Sequence, residues 1–185
     1  MIEALREWVS GLFGGGYLAG FFMSMIPLLE LKGGILFMIA ATDNIWLSFL
    51  VGVLGTSVLA PILLLVFLPL MNWAKKTKLF RGIADWMERH FRKKSDELEQ
   101  KANAKQKEGD SEEERKKRVN RAKYIGLFVF TAIPLPLTGC WTASIVASIM
   151  GLDYKKSLLV IVLGNIVAGA AITLLGGVLN IAFFR

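Results

Sequence analysis

The chain of 185 residues is 54% hydrophobic, carries a net charge of +7 and has a mean hydropathy of +0.51. Its apolar residues form long runs, which excludes an ordinary soluble domain and predicts an integral membrane protein. The whole basic excess lies in residues 72–123, where charges of both signs are mixed and no recognition motif occurs. Nucleic acid is therefore not expected as a partner.

Residues 1–16 are predicted to form an amphipathic helix at the membrane interface. The apolar side chains of Ile2, Leu5, Val9 and Leu12 recur at helical spacing. Such a stripe beside charged residues is typical of a helix that lies in the plane of the interface.

Residues 17–44 form an apolar stretch that is broken in its middle. The break contains Pro27, Glu30, Lys32, Gly33 and Gly34. Each flanking piece has roughly ten residues and is about 15 Å long as a helix, which is half of a hydrocarbon core of about 30 Å. The pattern predicts a re-entrant helical hairpin, because non-helical backbone at membrane depth persists only where protein or a wet cavity surrounds it.

Residues 45–73 are predicted to span the membrane, with a kink at Pro61. The hydrophilic segment 74–123 is expected to be a cytoplasmic loop, because cytoplasmic loops are enriched in Lys and Arg. Within it, residues 79–91 have the pattern of a basic amphipathic helix that rests on the membrane. Residues 95–121 are expected to form a broken, solvated helix or to be partly disordered.

The second half of the chain, residues 124–185, repeats this arrangement. A broken stretch, 124–152, precedes an apolar run at 157–184 that is long enough to span the membrane. The second break contains Pro134, Pro136, Thr138, Gly139, Trp141 and Thr142. At an offset of 107 residues, Tyr17, Ile26 and Pro27 fall on Tyr124, Ile133 and Pro134. The matched prolines within matched breaks indicate an internal repeat.

We therefore predict an all-α integral membrane protein with two repeats, residues 17–73 and 124–185. Each repeat is expected to hold one re-entrant hairpin and one transmembrane helix, and amphipathic interfacial helices accompany them. Because each repeat then crosses the membrane once and the basic loop lies between them, the repeats are inverted. This topology puts Lys155 and Lys156 on the cytoplasmic side, in agreement with the positive-inside rule.

Glu30 and Lys32 are the ionisable side chains expected near the membrane midplane. Burying either charge costs about 2.5 to 3.5 kcal/mol on insertion scales, so such residues usually face a functional cavity. A structural ion pair that holds the hairpin tip together is the alternative.

A new half-helix is expected to begin after each break. Helix N-termini favour anions, so two opposed tips would form a site for a phosphate or carboxylate headgroup, with Lys32 adding a positive charge. The hydroxyls of Thr138 and Thr142 are expected beside this site, and Trp141 is expected to line its cavity. Glu30 is the expected proton-coupling residue. The predicted substrate-binding residues are thus those of the two breaks.

Catalysis is not expected. Cys140 and His90 suggest a nucleophile and a base, but His90 belongs to the loop and lies far from the midplane. Glu30 is the only acid expected at depth, which argues against a carboxylate-pair enzyme. No metal or cofactor is expected.

The stretch Ile26-Pro27-Leu28-Leu29-Glu30-Leu31-Lys32-Gly33-Gly34-Ile35 resembles the I-P-x-x-E-L-[KR]-G-[GA]-I hallmark of the small multidrug export protein family, and residues 133–142 resemble its second block. This resemblance implies a membrane exporter. More distantly, the pattern is similar to the DedA/SNARE-associated (VTT) superfamily. That likeness implies two opposed re-entrant hairpins and proton-coupled flipping of lipids such as polyprenyl phosphates. The chain departs from DedA proteins at Leu137 and Thr138, where those proteins carry arginines.

Three functional hypotheses follow. The first is a transporter or flippase for an amphiphile with an anionic headgroup, such as a polyprenyl phosphate, with proton coupling through Glu30. The second is export of cationic amphiphiles, with Glu30 as the binding charge. The third is a membrane scaffold that recruits partners through its loop. The expected partners are membrane lipids, the amphiphilic substrate and a second copy of the chain, and the expected location is the prokaryotic inner (plasma) membrane.

Overall fold

The computed structural model describes residues 16–42, 44–77, 112–135 and 138–184, together with isolated positions between 82 and 100. The regular elements in these ranges are α1 (Gly16–Met23), α2 (Glu30–Ala41), α3 (Ile45–Lys76), α4 (Glu112–Ala132), α5 (Cys140–Ile149) and α6 (Tyr154–Phe184). The all-α prediction is confirmed for this part of the chain. The helices predicted for residues 1–16 and 79–91 lie largely outside it.

Helices α1 and α2 form an antiparallel helical hairpin. Gly16, at the start of α1, lies against Thr42 just after the end of α2, and Gly20 lies against Met38 one turn further in. The connection between the helices is a series of turns, because Pro27 has no N–H group with which to continue the hydrogen-bond pattern of α1. The expected break therefore occurs, and residues 17–44 do not form one straight helix.

Helices α4 and α5 flank the second break. Helix α5 closes with a Schellman motif, in which Gly151 has a φ of 63° and the N–H of Leu152 donates to the carbonyl of Ala147 over 3.0 Å. The chain then returns to α4, where the N–H of Asp153 donates to the hydroxyl of Tyr124 over 3.0 Å. Helix α4 itself begins at Glu112, about three turns before Tyr124. The polar residues assigned to the loop thus continue directly into this hairpin.

The two long helices are the candidate membrane spans within the described residues. Ile45–Phe67 of α3 and Tyr154–Val178 of α6 each have a mean hydropathy of 2.5 and are long and apolar enough to cross a membrane. Pro61 and Pro69 both lie inside α3.

Helices α3 and α6 run antiparallel. Gly177, near the end of α6, lies against Ile45 at the start of α3. Ile161, near the start of α6, shares a core cluster with Leu64 and Phe67, which lie in the second half of α3.

Each long helix begins at a side-chain cap. The Oδ1 atom of Asn44 accepts the N–H of Leu47, and the Oδ1 atom of Asp153 accepts the N–H of Lys156, both over 3.0 Å. Such caps satisfy N–H groups that have no acceptor within the helix. Because Asp153 is the cap, α6 begins at Tyr154, ahead of the start that we predicted at residue 157.

The two breaks meet beside Thr56, at the middle of the apolar span Ile45–Phe67 of α3. The hydroxyl of Thr56 donates to the carbonyl of Ser24 in the first break over 3.0 Å. The carbonyl of Thr56 accepts the Sγ atom of Cys140, the first residue after the second break, at 3.6 Å. The fold therefore brings two irregular segments, distant in sequence, to one point of the bundle.

Candidate functional site

The first break holds two residues in the left-handed region of backbone space. The φ angles of Leu28 and Glu30 are 78° and 47°, a conformation that costs roughly 1–3 kcal/mol for a residue other than glycine. Leu28 is 74% exposed, whereas Glu30 is only 4% exposed. The strained turn therefore coincides with the point at which the chain buries a carboxylate.

The Glu30 carboxylate bridges the two breaks. Its Oε2 atom lies 3.6 Å from the Nζ atom of Lys32, and its Oε1 atom accepts the backbone N–H of Trp141 over 3.4 Å. Trp141 lies in the first turn of α5, where N–H groups lack an intrahelical acceptor and the helix dipole favours negative charge. Glu30 therefore occupies the anion position at the N-terminus of α5.

Gly139 makes this approach possible. A Cβ atom at this position would overlap the Glu30 carboxylate. The φ of Gly139 is 178°, an extended conformation that any residue adopts. Glycine is thus required here by the closeness of Glu30 and not by the backbone angles.

The Lys32 ammonium is held by the opposite break. Its Nζ atom donates to the carbonyl of Leu135 and, over 2.5 Å, to the carbonyl of Thr138. With the Glu30 carboxylate, these carbonyls surround the ammonium with three oxygen acceptors. The side chain of Lys32 is 14% exposed, so the charge is largely removed from solvent and depends on these partners.

Trp141 adds a further link between the breaks. Its Nε1 atom donates to the carbonyl of Met25 over 3.1 Å. Its ring packs edge-to-face on Phe67, with ring centroids 6.0 Å apart and planes at 73°. The indole thus fixes the second break against both the first break and α3.

The structure brings together several of the predicted site residues and separates others. Those that meet are Glu30, Lys32, Thr138, Gly139 and Trp141. Gly34 lies instead against Ser24, inside the first hairpin. Pro27 is exposed, and Gly33, Pro134 and Thr142 are half-buried. Pro136 lies outside the described residues.

The Thr138 hydroxyl makes its hydrogen bonds within the second break. It donates towards the carbonyls of Ile133 and Leu135, over 2.6 and 2.8 Å, and accepts the N–H of Leu135 over 3.2 Å. These bonds close the second break upon itself. The side chain therefore shapes the break, and its neighbouring carbonyl is the group that contacts Lys32.

Sequence reasoning missed the carbonyl oxygens that hold Lys32. Backbone acceptors carry no residue signature, and only the prolines nearby, which remove donors, indicated that carbonyls here would lack partners. The sequence analysis gave Cys140, which lies beside the site, no role. Cys140 is fully buried, and its contact with the carbonyl of Thr56 makes it a packing residue of α5.

Taken together, these groups form a charged contact between the two breaks. Residues 30–171 match the family model described as "Putative small multi-drug export protein", a match that covers more than half of the chain. The chain belongs to this family. Neither a curated protein nor a solved structure matches it.

Membership in the small multi-drug export family confirms the resemblance drawn from Ile26–Ile35. The family match begins at Glu30 and includes both ends of the contact with the second break. Together with the two long apolar helices, it identifies the chain as a membrane protein of a family described as exporters.

Proposed function

We propose that the protein exports cationic amphiphiles and that Glu30 is the charge that binds them. The observation that carries this proposal is the setting of the Lys32 ammonium, which lies among the Glu30 carboxylate and two carbonyl oxygens. Lys32 is a cation already seated in this site. A substrate cation of suitable shape would replace it and take over the same oxygen partners.

The surroundings of the ammonium match the needs of such a substrate. A buried cation requires oxygen acceptors and a counter-charge, and the apolar part of an amphiphile requires hydrocarbon or aromatic surface. Trp141, whose backbone N–H contacts the Glu30 carboxylate, supplies one aromatic ring, and Phe67 packs against that ring.

An anionic headgroup is less well supported by this geometry. The position that would receive it, the N-terminus of α5, holds the Glu30 carboxylate. A lipid phosphate would have to expel Glu30 from that position while also keeping Lys32, whose ammonium is bound to carbonyls. The first of our sequence hypotheses therefore gives way to the second.

We propose in addition that export is coupled to protons through Glu30. When Lys32 and a substrate cation are both absent, the buried carboxylate lacks a counter-charge, and binding a proton removes that penalty. We infer that protons and substrate compete for Glu30. This competition couples the movement of protons in one direction to the movement of substrate in the other.

We propose further that both hairpins are re-entrant and that the repeats are inverted. Matching hydrogen bonds support the repeat: the hydroxyls of Ser24 and Thr131 each donate to the carbonyl four residues earlier, over 2.8 Å. Gly55 lies against Ser24, and Gly164 lies against Thr131. The antiparallel course of α3 and α6 supports the inversion.

The binding test uses tetraphenylphosphonium and a short-chain phosphatidic acid, each titrated against protein in nanodiscs made of zwitterionic lipid. Because Lys32 competes with a cation, Lys32→Ala is expected to leave tetraphenylphosphonium binding at least as tight as in the wild type. A phosphate ligand would instead bind roughly 10-fold or more weakly, since it would lose a charge-assisted hydrogen bond worth about 1.5–3 kcal/mol.

Lys155→Ala is the matched control, because Lys155 is an exposed lysine outside the contact. A loss of tetraphenylphosphonium binding in Lys32→Ala but not in Lys155→Ala would contradict the cation proposal. Tight phosphatidic acid binding that depends on Lys32 would revive the anionic alternative.

The topology predicts which membrane face each hairpin opens to. Trp46 lies at the open end of the first hairpin and Lys155 at that of the second, and both are exposed. Trp46→Cys and Lys155→Cys are expected to react with a membrane-impermeant maleimide from opposite faces of sealed vesicles. Two straight spans through residues 17–44 and 124–152 would instead put both cysteines on one face. The native Cys140 is buried, so its own reaction with the maleimide is expected to give only a low background.

A further inference from the structure

A cavity of about 510 Å³ lies between α4 and α6, away from the hairpin tips. Three cationic side chains line one part of it: Lys117 and Arg121 from α4, and Lys156 from α6. Among the residues of the described chain that line the cavity, none is acidic. Its charge is therefore suited to an anion.

We propose that this cavity binds one anionic phospholipid, with the phosphate at the cationic end and an acyl chain along the α4–α6 groove. The site contains no residue of the hairpin tips, so the proposal does not depend on the substrate that the tips transport.

The order of the lining residues along the helices matches the order of chemical groups along a phospholipid. Residues 117, 121, 124 and 128 recur every three or four positions and so share one face of α4. Lys117 and Phe128 are about 16 Å apart along the axis at 1.5 Å per residue. The face thus changes from cationic to apolar over the distance that separates a headgroup from the upper part of its acyl chains.

The apolar part of the cavity is open to hydrocarbon. Ile125 and Phe128 line it from α4, and Val160 and Leu163 line it from α6. Ile125 and Leu163 are 54% and 46% exposed. These residues lie within or directly beside apolar helix segments, where lipid chains are the available partners.

Tyr124 occupies the boundary between the two parts and provides a second polar contact. Its hydroxyl oxygen accepts the N–H of Asp153 over 3.0 Å, so its proton points away from that bond. Tyr124 also lines the cavity. A phosphate oxygen is the acceptor that completes its hydrogen bonding, and tyrosine is common at this depth of a membrane.

Neighbouring carboxylates leave the cationic charge largely available. Glu113 pairs with Lys117 at 3.3 Å, but both side chains are more than 70% exposed, and exposed pairs of this kind contribute little. The Asp153 carboxylate is bound to the N–H of Lys156. Basic pockets between helices near a membrane surface are a recurring means of binding anionic headgroups.

The test compares lipid binding by native mass spectrometry of the full chain released from detergent. Dioleoyl phosphatidylglycerol, dioleoyl phosphatidylcholine and inorganic phosphate are the three probes. We expect phosphatidylglycerol to bind with one molecule per chain and to be favoured over phosphatidylcholine. The double variant Arg121→Gln/Lys156→Gln is expected to weaken phosphatidylglycerol binding roughly 10- to 30-fold, the effect of two cations near an anionic surface.

Lys116→Gln/Lys155→Gln is the matched control. It removes the same charge from the same two helices, at exposed positions that do not line the cavity, and it should leave the affinity unchanged. The proposal is overturned if both double variants weaken binding equally, because the attraction would then come from general surface charge. It is also overturned if phosphatidylcholine binds as tightly, or if phosphate binds as well as the lipid does.

Discussion

Replacing Glu30 with glutamine is expected to lower the export of a lipophilic cation by about 100-fold or more while the protein remains folded. Glutamine keeps the shape of the side chain and an oxygen for the Trp141 N–H, but it removes the charge that balances a buried cation. Removing one partner of a buried charge pair weakens binding by about 2–5 kcal/mol, and each 1.4 kcal/mol is a factor of ten. Tetraphenylphosphonium flux from proteoliposomes measures the effect.

Glu113→Gln is the control for this substitution. It makes the same chemical change at a glutamate whose side chain is 80% exposed, and it is expected to leave flux within about 2-fold of the wild type, as surface substitutions usually do. Gel filtration and thermal unfolding of both variants distinguish lost transport from lost folding. A Glu30→Gln protein that transports at the wild-type rate would exclude Glu30 as the binding charge.

Gly139→Ala is expected to destabilise the protein by about 1–3 kcal/mol and to reduce export strongly. The new methyl group would overlap the Glu30 carboxylate, and forcing an extra methyl into a packed contact has a cost of this size. The displaced carboxylate would lose the Trp141 N–H and move relative to Lys32. The free energy of unfolding, measured by denaturant titration in detergent micelles, reports the change.

A double-mutant cycle makes this prediction specific. In a Glu30→Ala protein the space of the carboxylate is vacant, so adding Gly139→Ala should lower the free energy of unfolding only slightly. The two substitutions should therefore show a coupling energy of about 1–3 kcal/mol. Gly82→Ala is the control, because nothing lies within 4 Å of a Cβ atom added there. Additive effects of the Glu30 and Gly139 substitutions would mean that the two residues do not touch.

The breaks could be predicted from sequence because membrane helices have strict requirements. A proline, two charges and paired glycines within about thirty apolar residues leave few ways to satisfy the backbone, and two half-length helices with a turn are one of them. The Asn44 and Asp153 caps satisfy backbone N–H groups in a similar way, but the sequence analysis assigned Asn44 to the first hairpin and gave Asp153 no role.

The extent of α4 was harder to predict. The residues from Glu112 onwards are strongly charged, which indicates solvated chain or disorder, but Glu, Lys and Arg are also good helix formers. The apolar segment that begins at Tyr124 is held against α5 and α6, and the helix continues outward from it. Tertiary support at one end thus decides the conformation of a segment that its own composition leaves open.

The contact between the tips could be predicted only in part. Sequence placed Glu30 and Lys32 near the second break, but it could not say which charge would meet the N-terminus of α5. A pair separated by 111 residues has no spacing rule. Gly139 was the one residue in the sequence that indicated this contact. A glycine directly before a helix often lets another group approach the backbone closely.

The left-handed turn at Leu28 and Glu30 carries backbone strain beside the contact between the two breaks. In this structure the contacts of Glu30 with Trp141 and of Lys32 with the second break offset that strain. If a substrate cation replaces Lys32, as we propose, the turn can relax, and the exchange of partners and the change of backbone shape become one two-state event. The relieved strain then contributes to breaking the contact, so the substrate needs less affinity than the lost contacts alone would require.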